Sequence, residues 1–412
     1  MKKLTLLATP VIALGLLITA AGCTKPASQG FKADGDYSAI MSTRPQTATD
    51  TVLILKLTTP PLLTTAKVVE GKKQIDPASA EALKLEQEDV IAKLTAISPK
   101  IQVLYRYRLV INGLAIVAPL DQLAAIRTLG NVAYVETQTS FTRPAIMGAT
   151  NEVPPAVAKA LGKTSTQFIG ADQANAKGFR GQGMKVGILD TGIDYTHAMF
   201  GGAGTPEAYK AVDPAKENAA FPSAKVVGGI DLVGTAYDSD SADFSKRTPI
   251  VDNNPLDEGG HGSHVAGTVA GHGDGTNTYD GVAPDAALYA IKVFGADGST
   301  GDAVVVAGLE YSADPNGDLE LGDKLDVVNL SLGSSYGNPH ILYTEAMQNL
   351  SVAGTVVVAS GGNSGDKEYI VGAPGVADEA ISVAASIDDM DQNWKFAAVR
   401  FTTPSEPAIV VE

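Results

Sequence analysis

Gly259-Gly260-His261-Gly262-Ser263-His264-Val265-Ala266-Gly267-Thr268 sets two histidines among small residues, at a point where a loop gives way to a helix. Glycines let other backbone come close, and small residues in a first helical turn let the helix pack tightly on a sheet. The imidazole of His261 is expected at the mouth of that helix, within reach of solvent. A histidine taken alone is more often a surface residue or a loop cap than a catalytic group. The question is whether other stretches bring partners to His261.

Working outward, residues 184–189 form a short apolar run that ends in Asp190-Thr191-Gly192-Ile193-Asp194. A carboxylate at the carboxyl end of a buried strand is well placed to face a crevice in an α/β sheet, although the same residue type also caps turns. Further strand-like runs lie at 225–230, 287–293, 325–330, 355–359 and 380–384. Helix-like runs at 264–270, 302–312 and 341–350 fall between them. Strands alternating with helices imply a parallel sheet covered on both faces.

These stretches together resemble the subtilisin family of serine proteases. Asp190 in Gly187-Ile188-Leu189-Asp190-Thr191-Gly192-Ile193 is similar to the family's aspartate block, and His261 to its histidine block. Asn363 in Ala359-Ser360-Gly361-Gly362-Asn363-Ser364-Gly365 is similar to its oxyanion asparagine. Gly295-Ala296-Asp297-Gly298-Ser299-Thr300-Gly301 and Val328-Asn329-Leu330-Ser331-Leu332-Gly333 resemble the two strands that hold substrate. The resemblance covers most of residues 170–390. It implies a subtilisin-like α/β fold with helices on both faces of a parallel sheet. It also implies roles: His261 takes a proton from a serine hydroxyl, and Asp190 fixes its tautomer. Asn363 donates to the developing oxyanion. Substrate is expected as an added strand between Gly298, Ser299, Thr300 and Ser331, Leu332, Gly333, with Gly361 and Gly362 leaving room for a side chain. The implied partners are peptide or protein substrates, and catalysis needs no cofactor.

The family carries its nucleophile in a Gly-Thr-Ser-Met-Ala-type block after the asparagine. Ser360, Ser364, Ser382, Ser386 and Ser405 do not have that setting. The chain is therefore expected to be an N-terminal portion of a longer protease, or the product of an interrupted gene, inactive by itself. Residues 401–407 resemble the entry to an inserted domain. The alternative is a non-catalytic peptide-binding protein that keeps the cleft. Metal hydrolysis through His261 and His264 is a poor reading. A zinc helix of that type wants four-residue spacing and a glutamate after the first histidine, whereas Gly262 follows His261. In the subtilisin reading His264 is structural.

Ahead of this region, the runs at 51–57, 78–97, 101–111, 114–118, 119–129 and 132–137 read as β-α-β-β-α-β, a ferredoxin-like α+β arrangement. Asn112-Gly113 is a hairpin signal and Gly130-Asn131 a left-handed helix cap. The last strand, Val132-Ala133-Tyr134-Val135-Glu136, resembles the end of the family's inhibitory propeptide. The expected organisation is a propeptide-like domain over 51–142, a linker rich in Pro, Ala and Thr over 143–165, and the catalytic domain over 166–412. The own propeptide is then a partner as inhibitor.

Before the first domain, Met1-Lys2-Lys3, an apolar run and Thr19-Ala20-Ala21-Gly22-Cys23 fit an export signal over 1–22, with a tether over 23–50. The approach to Cys23 resembles a bacterial lipobox, with Ala20 where leucine is commonest. That resemblance implies lipidation at Cys23 and an exported protein anchored to a membrane of the cell envelope; the other reading is an ordinary secretory signal with an incidental cysteine and a secreted protein. Cys23 is the 1 cysteine of 412 residues, so no internal disulfide can form. Hydrophobic residues at 44% suffice for a sizeable core, and a net charge of -15 argues against nucleic acid and anionic lipid as partners. Acidic clusters leave room for structural calcium. Asp314, Asn316, Asp318 and Glu320 space oxygen ligands every second residue as hard-cation loops do, or else form a solvated acidic turn. Residues 200–258 hold Asp238, Asp240, Asp243, Asp252 and Asp257, and read as an acidic surface insertion near the cleft.

Overall fold

A computed structural model describes residues 47–143, 165–273 and 280–386. The signal over 1–22, Cys23, most of the tether, the linker from 144 to 164 and the tail at 401–407 lie outside the described residues. These residues form a four-stranded unit and a six-stranded unit.

The first unit opens with strand β1 (Asp50–Leu57), followed by helix α1 (Pro77–Ile97). Asp76 caps α1, its side chain accepting from the Ala78 amide at 3.1 Å, and Pro77 suits the first turn, where its missing N–H costs nothing. Ala80, Leu83, Gln87, Val90 and Leu94 recur at helical spacing and form its buried stripe. Strands β2 (Gln102–Tyr107) and β3 (Gly113–Pro119), helix α2 (Leu123–Ile126) and strand β4 (Val132–Thr137) complete the unit. The sheet order is β2-β3-β1-β4 with antiparallel neighbours.

Two local expectations fail in this unit. Asn112-Gly113 is not a tight hairpin: β2 stops at Tyr107, and residues 108–112 form a longer connection. Asn112 is instead buried, its amide donating to the Thr59 carbonyl and Glu86. Gly113 is required by a close approach, since a Cβ there would lie 2.3 Å from the Leu55 carbonyl oxygen. Gly130 does not adopt a left-handed cap, because α2 already ends at Ile126.

The second unit is a parallel sheet built from β6 (Lys185–Asp190), β7 (Val226–Asp231), β8 (Ala287–Lys292), β10 (Val327–Leu330), β11 (Val356–Ser360) and β12 (Ala380–Val383). The spatial order is β12-β11-β10-β6-β8-β7. Helix α3 (His261–Ala270) packs on β6 and β8, and α4 (Asp302–Ala313) and α5 (Leu342–Val352) on the other face. Two short strands stand apart, β5 (Ser140–Thr142) and β9 (Ser299–Gly301). Among the described residues no helix is long and apolar enough to cross a membrane.

Helix α4 explains how the units meet. Every one of its residues is buried, which needs cover on both sides. The sheet supplies one side and the four-stranded unit the other. The Glu310 carboxylate of α4 accepts the amides of Arg108 at 2.6 Å, Leu109 at 2.7 Å and Val110 at 2.9 Å. These bonds hold the connection that replaces the expected hairpin. Tyr107 donates to the Ala303 carbonyl at 2.7 Å, and Tyr105 to that of Leu232 at 2.7 Å. One core cluster therefore contains Tyr105, Tyr107 and Leu83 together with Leu189, Val304 and Leu350.

Candidate active site

Asp190 is the last residue of β6, in the middle of the parallel sheet, and is fully buried. His261 is the first residue of α3. Gly260 before it takes a left-handed φ of 79°, which turns the chain sharply into the helix. The two side chains meet: His261 Nδ1 lies 2.8 Å from Asp190 Oδ1 and 2.9 Å from Oδ2. The imidazole side chain is 12% exposed, a largely dry setting. Among the described residues, no hydroxyl is hydrogen-bonded to its second nitrogen.

The charges of the pair follow from this geometry. Hydrogen bonding to Asp190 raises the His261 pKa above the ordinary 6.5, and burial offsets part of the rise. Burial pushes the Asp190 carboxyl up, while the imidazole and the Thr191 amide pull it back. A buried carboxylate on Nδ1 leaves the other ring nitrogen as the proton acceptor, the tautomer a general base needs.

Sequence reasoning missed the residues that hold this pair in place. Asp257 was read as part of an acidic surface, yet it is 3% exposed. Its carboxylate accepts the amides of Gly259, Gly260 and Ser263 and the hydroxyls of Ser263 and Thr191, at 2.7–2.9 Å. Thr191 in turn accepts the Gly262 amide at 2.8 Å. Gly262 has no room for a side chain, since a Cβ would lie 2.1 Å from the Gly192 carbonyl oxygen. The loop before His261 is thus tied to the end of the Asp190 strand. An aspartate just before a Gly-Gly-His helix start was the available signal. His264, expected to be structural, is exposed on the outer face of α3.

A second buried group was also legible only as an oddity, a lysine ending an apolar run. Lys292 ends β8 fully buried, with Nζ 2.8 Å from the Phe294 carbonyl oxygen, 3.4 Å from Asp231 and 3.5 Å from Glu258. Asp252, expected on the acidic surface, sits near them with its pKa pushed up to about 7 by burial and by Asp231. Asp238, also expected there, accepts the Ser299 amide at 3.0 Å and so braces β9 from behind.

The substrate-strand residues frame a slot that is filled. Strand β5, which the sequence assigns to the end of the first domain and the start of a linker, pairs antiparallel with β9: Ser299 opposite Thr142, Thr300 opposite Phe141, Gly301 opposite Ser140. Thr142 also bridges to Gly333. A strand whose partners are remote in sequence carries no local signal beyond its own three residues. Gly298 precedes β9, and Ser331 and Leu332 lead from β10 to Gly333. Gly361, Gly362 and Asn363 follow β11, the parallel neighbour of β10. Asn363 is exposed, and its turn is tied to the other side of the slot by a Ser335–Ser364 hydroxyl bond.

Asp314, Asn316, Asp318 and Glu320 do not converge on a common point. Asp314 is buried and accepts the amides of Gly317 and Leu319. Asn316 and Asp318 bond each other, and Asp318 accepts the Glu320 amide. Among the described residues no group of three or more His, Cys, Asp or Glu could hold a metal ion.

A buried aspartate thus meets a histidine at strand ends of a parallel α/β sheet, beside a slot occupied by peptide backbone. The Subtilase family profile matches residues 181–407. The minor extracellular protease Vpr of Bacillus subtilis is 33% identical over 281 residues, covering 68% of this chain and 30% of Vpr. Subtilisin DY of Bacillus licheniformis is 35% identical over 235 residues, covering 56% of this chain and 66% of that protein. A PII-type proteinase of Lacticaseibacillus paracasei is 28% identical over 353 residues, covering 77% of this chain and 17% of that protein. The chain belongs to the subtilase family, and it spans less than two thirds of the length of these relatives.

Proposed function

We propose that this chain is the zymogen-side portion of an exported subtilisin-like serine endopeptidase. In this reading residues 51–142 are an inhibitory propeptide, and Asp190 and His261 are two members of an Asp-His-Ser triad. Asn363 is the oxyanion donor. Strand β5 carries the reading: a stretch of the chain's own backbone occupies the slot where substrate is expected, between β9 and Gly333, and leads toward the loop before His261. Main-chain pairing of this kind gives affinity for extended peptide and leaves selectivity to side-chain pockets, so the slot suits a protease and suits inhibition by its own product-like segment.

The chemistry assigned to these residues is proton management. His261 takes the serine proton and returns it to the leaving amine, while Asp190 stabilises the imidazolium. In this reading none of Ser360, Ser364, Ser382, Ser386 and Ser405 has the sequence setting of the nucleophile. Lipidation at Cys23 would hold the protein at a membrane on the outer side of export, in keeping with the extracellular relative Vpr. A structural calcium at the 314–320 turn finds no support in the hydrogen bonds of that turn.

The test is hydrolysis of casein, and labelling by a fluorophosphonate serine probe, measured on two products. The 412-residue chain is expected to show neither. The protein expressed from its complete gene is expected to show both, and to lose turnover on His261→Ala. Turnover by the 412-residue chain, or turnover of the complete product that survives His261→Ala, overturns the assignment.

A further inference from the structure

We propose that the cleft beside His261 selects a peptide carrying an aromatic residue and, two residues later, an arginine, the arginine being seated on the bare backbone of Gly259 and the Ala296 carbonyl. This rests on the reading of the slot as a substrate cleft, and names the peptide class it takes.

The occupant of the slot is the template. Along an extended strand, alternate side chains point the same way. Phe141 is 1% exposed and meets the Tyr343 ring edge-on, with centroids 5.5 Å apart. Thr142 points to solvent. Arg143 turns inward again, and for a charged side chain it is well covered, at 24% exposure. Its Nη1 donates to the Ala296 carbonyl at 2.9 Å. The Asp297 carboxylate is 3.8 Å from Nη2 but 99% exposed, so water screens it and it adds little.

Gly259 is what makes the seat fit a guanidinium. A Cβ on Gly259 would lie 2.3 Å from Arg143 Nη1, so the arginine occupies the very volume a side chain there would take. Gly259 does not have a left-handed φ, and alanine would cost no backbone strain. Its amide is held by Asp257, two residues ahead of His261. A flat guanidinium lying on this backbone is therefore registered against the catalytic loop. A lysine ammonium is compact and strongly hydrated, and does not fill the same slot.

The experiment is amide hydrogen exchange by mass spectrometry on the 412-residue chain, read at Ser140–Arg143. Arg143→Ala is expected to speed exchange there about tenfold, the weight of one lost hydrogen bond to a charged group. Gly259→Ala is expected to do the same, and Arg143→Lys to restore less than half of the protection. Asp297→Asn is expected to change little. The double variant Arg143→Ala with Gly259→Ala is expected to be no worse than Arg143→Ala alone, because the clash has no second partner. A general misfolding effect of Gly259→Ala would instead add to it. Phe141→Ala, which removes a buried ring, is expected to speed exchange about 100-fold and checks the cleft reading itself. If Phe141→Ala opens the strand while Arg143→Ala and Gly259→Ala do not, the arginine seat is wrong and the cleft reading stands. If Arg143→Lys keeps full protection, the selectivity for arginine is wrong. If no variant opens the strand, the cleft reading fails.

Discussion

At the β7–β8 side of the parallel sheet, strand ends carry Asp231 and Lys292, both buried, with Glu258 and Asp252 close by and the four-stranded unit packed over the adjacent loops. At the other side, β12 presents Ile381 at 55% exposure and Val383 at 50%, beside Val356 at 45% on β11. The first side buries charge and the second exposes hydrocarbon. The Asp190–His261 half of the cleft is held by buried charges and hydrogen bonds. The Asn363 side rests on a sheet face that the described residues leave uncovered.

The two sides are expected to differ most at Lys292. Lys292→Met leaves Asp231 and Glu258 buried without their cation and is expected to cost about 3–5 kcal/mol, read by urea unfolding. Ile381→Asn, the reverse change of polarity at the open side, is expected to stay within about 0.5 kcal/mol. Equal effects at the two positions would mean that β12 is covered in solution. Tyr107→Phe sharpens the closed side. It leaves the chain's fold intact but removes the bond to the Ala303 carbonyl, for an expected loss of about 1–2 kcal/mol in the same assay.

Glu310 gives that side a pH dependence. Burial against the four-stranded unit pushes its pKa up to about 7 from an ordinary 4.5. A group whose folded pKa is raised contributes stability that is full below the unfolded value and is lost as pH rises through the folded one. Docking of the four-stranded unit is therefore expected to weaken between about pH 5 and pH 8. Glu310→Gln is expected to flatten that slope, read as melting temperature against pH. An unchanged slope would place the titrating group elsewhere, with Asp302 and its pKa of about 8 the next to test.

Much of this was legible in the sequence, and the reasons are particular. Asp190 and His261 sit in local patterns, an apolar run ending in Asp and a Gly-Gly-His helix start, and local patterns survive without coordinates. The strand–helix alternation likewise gave the parallel sheet, with boundaries shifted by a residue or three. Asp257, Lys292 and Glu310 were not legible because their partners are remote: a surface aspartate and a clamping aspartate look alike until five donors converge. Strand β5 was read as the edge of a linker for the same reason. Only β9 and Gly333 make it a strand, and only Gly259 and Ala296 make Arg143 more than a linker residue.

Asp190 and His261 are hydrogen-bonded to each other independently of any nucleophile. The most direct test of this pairing is NMR titration of the His261 imidazole in the 412-residue chain. The expected result is a midpoint above the ordinary 6.5, falling on Asp190→Asn, because the carboxylate bond is the largest cause of the rise. The stability this pair contributes is then full below pH 6.5 and is lost as pH rises through the raised midpoint. A midpoint at or below 6.5 that Asp190→Asn leaves unchanged would contradict the account.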